Sequence, residues 1–115
     1  MSGKIIGLIF VLLVGGCAEE TDIDAKIELL KKLAYEGDAS AQYHLGLMYY
    51  NGNVVPKDYK KAYAWFNIAK TNPSVVEWIK SKLAYLTNKM TKEQITEAQS
   101  LSTEIYNRIE VNKKD

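Results

Sequence analysis

From Thr21 to the C-terminus the apolar residues recur at intervals of three and four, with no long alternation, and proline occurs only at Pro56 and Pro73. Spacing of that kind lays apolar side chains along one face of a helix, whereas a half-buried strand needs a period of two. An all-helical chain is therefore expected, and start and stop signals divide it. The first helix should run from about Asp22 to Glu36, with Ile23, Ile27, Leu30 and Ala34 on one side and Gly37 as its stop. Asp38 caps a second, which reaches Tyr50 before Asn51-Gly52. After the loop NGNVVPK, Asp58 caps a third ending near Lys70, and Asn72-Pro73 offers an N-cap and a first-turn proline for a fourth carrying Val76, Ile79, Leu83 and Leu86. The last begins at Thr91, where Thr91 and Gln94 can form a capping box and Met90 can pack on Ile95. It continues through Ala98, Ile105 and Ile109 and dissolves into NKKD. Helices of this length joined by short loops pack as antiparallel neighbours.

Within this pattern the segment AQYHLGLMYYNGNVVPKDYKKAYAWFNIAK, Ala41 to Lys70, resembles a repeat of the Sel-one-like family, a relative of the tetratricopeptide repeat. The matching residues are Ala41, Gln42, Leu45, Gly46, Met48, Tyr49, Gly52, Val55, Asp58, Lys61, Ala62, Trp65 and Ala69. Their types suit a close-packed hairpin. Gly46 and Ala62 let two helices approach, Leu45, Tyr49, Trp65 and Ala69 fill the seam, Gly52 turns the chain in a left-handed conformation, and Asp58 caps the second helix of the pair. LAYEGDASAQ, Leu33 to Gln42, is similar to the junction between two such repeats, and MTKEQITEAQSL, Met90 to Leu101, to the capping helix that closes an array. The resemblance implies a short α-solenoid, TPR-like, of about five helices, with one complete repeat at about 38–71 inside a domain spanning 22–111 and a tail at 112–115. Two positions depart from the pattern: Val54 stands where glycine is usual, so the loop should take another conformation, and Lys70 replaces a small residue. One repeat is fewer than a free-standing solenoid needs, so the flanking helices should serve as caps.

The N-terminus reads differently. Lys4 precedes Ile5 to Val14, apolar apart from Gly7, and the run stops at Gly15-Gly16-Cys17 and meets Glu19 and Glu20. Spanning a bilayer as a helix takes about 20 apolar residues, so this is a charged segment and a short apolar core of signal-peptide type. A buried cysteine in a short core segment, or a secretory signal cleaved elsewhere, would also use these residues. The order Val14-Gly15-Gly16-Cys17 resembles the lipobox of bacterial lipoproteins. That resemblance implies removal of residues 1–16, acylation of Cys17, residues 17–21 as a tether, and, from Ala18 after the cysteine, sorting to the outer membrane of a Gram-negative cell, facing the periplasm.

With 115 residues the chain has room for one domain, and 47% apolar with 25% charged residues is an ordinary globular balance. Its formal charge is +1, and no Lys/Arg cluster is interleaved with aromatics along the sequence, so no nucleic-acid partner is expected. One cysteine and one histidine, His44, give no metal-ligand spacing, and no cofactor or metal is expected. Neither a nucleophile with a base nor a positioned carboxylate pair is present, Glu19 and Glu20 lying in the tether, so an enzyme is not expected. What remains is protein binding. Tyr43, Leu47 and Tyr50 share one face of the second helix, a stripe suited to a protein partner, although the same stripe could pack beneath the first or fourth helix. Trp65 belongs to the core. Trp78 lies on the polar side of the fourth helix, as an anchor for a partner or as a surface residue. The expected function is that of an envelope lipoprotein and non-catalytic interaction module. An immunity lipoprotein neutralising a secreted toxin, a structural subunit of an envelope assembly and an envelope enzyme are the alternatives.

Overall fold

The computed structural model describes the backbone of residues 15–114 and the side chains of residues 22–114. Among the described residues it holds five α-helices and no strand: α1 Gly15–Tyr35, α2 Ala39–Asn51, α3 Tyr59–Ala69, α4 Val76–Lys89 and α5 Lys92–Lys114. Residues 1–14 of the signal peptide expected at 1–16, and the side chain of Cys17, lie outside the described residues.

The turns follow their local chemistry. After α1, Gly37 sits at φ 102°, donates its N–H to Ala34 O at 3.1 Å, and Asp38 N–H reaches Leu33 O at 3.0 Å. This paired closure satisfies two end carbonyls and uses a conformation that costs glycine little. Asp38 then accepts the Ala41 N–H at 2.9 Å and starts α2. Gly52, at φ 71°, ends α2, and the Asp58 N–H returns to Tyr49 O at 2.9 Å, which pins the loop to the helix it leaves. Asp58 Oδ1 accepts the Lys61 N–H at 3.1 Å. At the start of α5 the Thr91 N–H meets Gln94 Oε1 at 2.9 Å and the Gln94 N–H meets Thr91 Oγ1 at 3.1 Å, a reciprocal capping box. Among the described residues no non-glycine has positive φ, so Val54 takes an ordinary backbone conformation with its side chain exposed.

Three boundaries differ from the sequence expectation. Helix α1 is already formed at Gly15 rather than near Asp22, because Ala18, Glu19 and Glu20 favour helix and no proline interrupts them. Residues 17–21 are thus helical backbone, rising about 1.5 Å per residue, instead of an extended tether. Helix α4 begins at Val76, not at Asn72-Pro73. Asn72 Oδ1 accepts the Ser74 N–H at 2.8 Å, a side-chain turn that delays the helix and lets Val75 drop into the core. Helix α5 reaches Lys114 instead of ending at residue 111. Asn112 Nδ2 donates to Tyr35 O at 3.1 Å and Lys113 lies over Gly37, so both serve the carbonyl end of α1.

Helix α3 is the hub. Its Ala64, Trp65 and Ile68 enter one cluster with Ala34, Ala41, Leu45, Ile105 and Ile109; its Ala62, Phe66 and Ala69 enter a second with Val75, Ile79, Leu86, Met90 and Ala98. Gly46 faces the Phe66 ring so closely that a Cβ there would stand 2.5 Å from two ring carbons. Helices α3 and α5 run parallel. Lys60 meets Glu97 at 2.8 Å, Gln99 Nε2 meets the Tyr63 hydroxyl at 3.5 Å, and Asn67 Nδ2 meets Ser102 Oγ at 2.9 Å. Helices α4 and α5 therefore both pack against α3, α5 along its length and α4 through Ile79 and Leu86, and close that side of the α2–α3 hairpin. At the other end, where a preceding repeat would stack, Ile23, Ile27, Leu30, Met48 and Val54 line an open apolar groove of about 340 Å³.

Candidate functional site

The same stacking sets α2 beside α4. Tyr43, Leu47 and Tyr50 are all half-buried and pack against the second core cluster, so α4 leans over the stripe that the sequence places on one face of α2. Tyr43 meets Trp78 at 5.6 Å between ring centroids, and Tyr50 meets Tyr85 at 5.7 Å, each pair 35 positions apart (78 − 43 and 85 − 50). Tyr59, at the start of α3, closes the group at 6.1 Å from Tyr50 and 6.4 Å from Tyr85. Beneath them lies Phe66, 5.9 Å from Tyr43 and 6.1 Å from Tyr50. Centroid spacings of this size are those of tilted and edge-to-face aromatic pairs, which hold rings in fixed mutual orientation. Trp78 and Tyr85 nevertheless remain 59% and 41% exposed.

Three lysines sit over this surface. The Lys82 ammonium is 5.6 Å from the Tyr50 centroid, Lys89 is 5.6 Å from Tyr85, and Lys57 is 5.5 Å from Tyr59. Along α4 the sequence Trp78, Lys82, Tyr85, Lys89 steps by four, three and four, so aromatic and basic side chains alternate on one face of the helix. The Tyr59 hydroxyl beside Tyr85 raises the Tyr85 phenol above its ordinary value, and partial burial and Tyr50 add to this. Next to Lys57 and Lys89 a depression of about 340 Å³ extends toward Met90 and Gln94.

The remaining sequence-singled residues are structural. Ala41, Leu45, Gly46, Ala62, Trp65 and Ala69 are buried at the helix contacts, Tyr49 is half-buried between the two clusters, and Gly52 and Asp58 shape the hairpin turn. His44 Nδ1 hydrogen-bonds the Ser40 carbonyl of its own helix at 2.7 Å. Among the described residues no three His, Cys, Asp or Glu side chains converge as a metal site would require. Sequence reasoning missed Tyr59, Tyr85 and the three lysines. The four-three-four spacing on α4 was a usable signal, but its relation to Tyr43 and Tyr50 depends on how α4 packs onto the α2–α3 hairpin.

No curated protein and no solved structure matches the chain. A family model does, that of the Sel1 repeat, over residues 39–72. That span takes in α2, the loop pinned at Asp58, and α3, which is the close-packed hairpin built around Gly46 and Phe66; residues 39–72 of this chain are similar to a Sel1 repeat.

Proposed function

We propose that this chain is a lipid-anchored protein of a bacterial cell envelope that works as a non-catalytic protein-interaction module. The observation that carries the interaction reading is the α2–α4 face. Tyr43, Tyr50, Tyr59, Trp78 and Tyr85 hold one another in fixed orientation while Trp78 and Tyr85 stay open to solvent, on a repeat of the type used to bind proteins. Rigid, half-exposed tyrosine and tryptophan offer large contact area at small entropic cost. The anchor reading rests on sequence: Lys4, the apolar Ile5 to Val14, and Val14-Gly15-Gly16-Cys17. Among the described residues no helix is long and apolar enough to cross a membrane. Acyl groups on Cys17 would supply the attachment, and two or more chains hold a protein stably where one does not. With Ala18 after the cysteine, the outer membrane facing the periplasm is the expected location.

Both parts are testable. Pull-down from envelope extract should recover a partner with the wild-type chain and lose it with Tyr43→Ala/Tyr50→Ala; equal recovery by both removes the face from the reading. Mass spectrometry of the wild-type protein should show residues 1–16 absent and acyl mass on Cys17, with Cys17→Ala left as an uncleaved precursor. An intact N-terminus without acyl mass refutes the anchor.

A further inference from the structure

Resting on that interaction reading, we propose that the α2–α4 face binds an extended acidic peptide segment that carries an apolar residue at its Trp78 end. The face has a direction. At one end Trp78 and Tyr43 form an uncharged aromatic pair; from Lys82 onward each ring carries an ammonium, ending at Lys57 and Lys89. From Trp78 to Lys89 the helix advances about 16 Å, the length of roughly five extended residues.

These lysines have unspent charge. Among the described residues none of Lys57, Lys82 and Lys89 forms an ion pair; Glu97 is engaged with Lys60 at 2.8 Å, Glu77 with Lys80 at 2.9 Å and Asp58 in capping α3, while Glu93 at the start of α5 pairs with none of the three. A lysine held over a ring keeps ammonium N–H donors directed away from that ring, ready for a carboxylate. Because the whole chain carries a formal charge of only +1, the three-lysine cluster is a local field rather than a share of a basic surface. A bilayer fits less well. Only Trp78 and Tyr85 are exposed on it, and a lysine sits over Tyr85, so the face lacks the row of apolar side chains that an interfacial helix inserts. Single-stranded nucleic acid fits less well too, since lysines sit over Tyr50, Tyr59 and Tyr85, leaving only the Trp78 end for bases to stack on.

The test uses the purified full chain in non-ionic detergent and a fluorescent peptide of one leucine followed by a short run of glutamates, with a glutamine counterpart. Anisotropy should show binding of the glutamate peptide, weakened about tenfold as salt rises from ~0.05 to ~0.5 M, and no measurable binding of the glutamine peptide. Lys57→Gln/Lys82→Gln/Lys89→Gln, with helical circular dichroism retained, should weaken binding by about tenfold or more. Equal affinity for both peptides, an unchanged triple variant, or tighter binding of anionic vesicles or an oligonucleotide overturns the proposal. A pull-down partner that is lost with the tyrosine variant yet retained by the lysine variant overturns the acidic ligand and leaves the interaction face standing. A partner retained by both overturns both.

Discussion

Gly46 lies inside α2, where replacing glycine by alanine ordinarily stabilises a helix by about 1 kcal/mol. Here the sign should reverse. An added Cβ would stand 2.5 Å from both Cδ1 and Cε1 of Phe66 and 3.2 Å from Cγ, whereas ordinary carbon contacts begin about 1 Å farther out. Phe66 is fully buried, with Tyr43 and Tyr50 packed above it, so its ring cannot swing into solvent. Relief requires α2 and α3 to separate, and such overpacking costs about 1–3 kcal/mol. A rigid ring met at two carbons belongs near the upper end of that range. Subtracting the propensity gain leaves a net loss of about 2 kcal/mol, or a fall in Tm of roughly 8–16 °C for a domain of this size. Thermal and urea unfolding followed by circular dichroism measure it. The combination Gly46→Ala/Phe66→Leu should be more stable than the two single losses added together, by about 1 kcal/mol, because leucine vacates the space that the methyl enters. A Gly46→Ala protein with unchanged or higher Tm, or a double variant with simple additivity, would refute the account of this contact.

Two further outcomes rest on single contacts. Gln42 is only 3% exposed and its Nε2 donates to Ala34 O at 3.0 Å, tying α2 to the end of α1. Ala34 O keeps the Gly37 N–H as a partner, so Gln42→Met should cost only about 1 kcal/mol in urea unfolding, and a loss several times larger would mean that the hydrogen bond is not the main role of this residue. The phenol of Tyr85 is raised chiefly by the Tyr59 hydroxyl beside it, so its folded-state value lies above the unfolded one; the stabilisation is complete below pH ~10 and is lost as pH rises through the folded value. Ultraviolet titration of tyrosinate should show one late-ionising tyrosine that returns to the ordinary range in Tyr59→Phe, and no difference between the two titrations would contradict the pairing.

The fold was legible wherever a residue acts on its immediate neighbours in the chain. Asp38, Asp58, Thr91 with Gln94, Gly37 and Gly52 all act within a few positions of themselves, and their turns form as their chemistry dictates. The seam glycine was legible from its small size alone. Asn72 misleads because an asparagine before proline can start a helix or bend its own backbone, and burial of Val75 decides for the bend. The helical backbone already present at residues 15–21 and the extension to Lys114 were hidden for opposite reasons: the first rests on propensity that two glycines and a cysteine obscure, the second on contacts with Tyr35 O some 77 positions away. For the site, the α2 half was visible as Tyr43, Leu47 and Tyr50, but nothing local to them says that Trp78 and Tyr85 lie opposite.

That opposition comes from the register between the α2–α3 hairpin and the two helices that follow it. Residues of α3 and α5 that touch are 35 to 37 positions apart, as Asn67 with Ser102 and Lys60 with Glu97 show, and the facing rings of α2 and α4 are separated by 35. Ala62 and Ala98, both fully buried and 36 positions apart, belong to the same cluster. Helices α4 and α5 thus follow the α2–α3 hairpin at a constant offset without repeating its close pairing or its sequence: the position 36 beyond Trp65 is Leu101, and that beyond Phe66 is Ser102, which hydrogen-bonds Asn67. A solenoid tolerates this because each unit needs only a complementary neighbour, not an identical one. The consequence reaches the binding face. Its uncharged end and its lysine-bearing end both need α4 in register on α2, so a lone Sel1 hairpin of residues 39–72 would keep Tyr43 and Tyr50 but have neither Trp78 nor Lys82 and Lys89 to complete the surface.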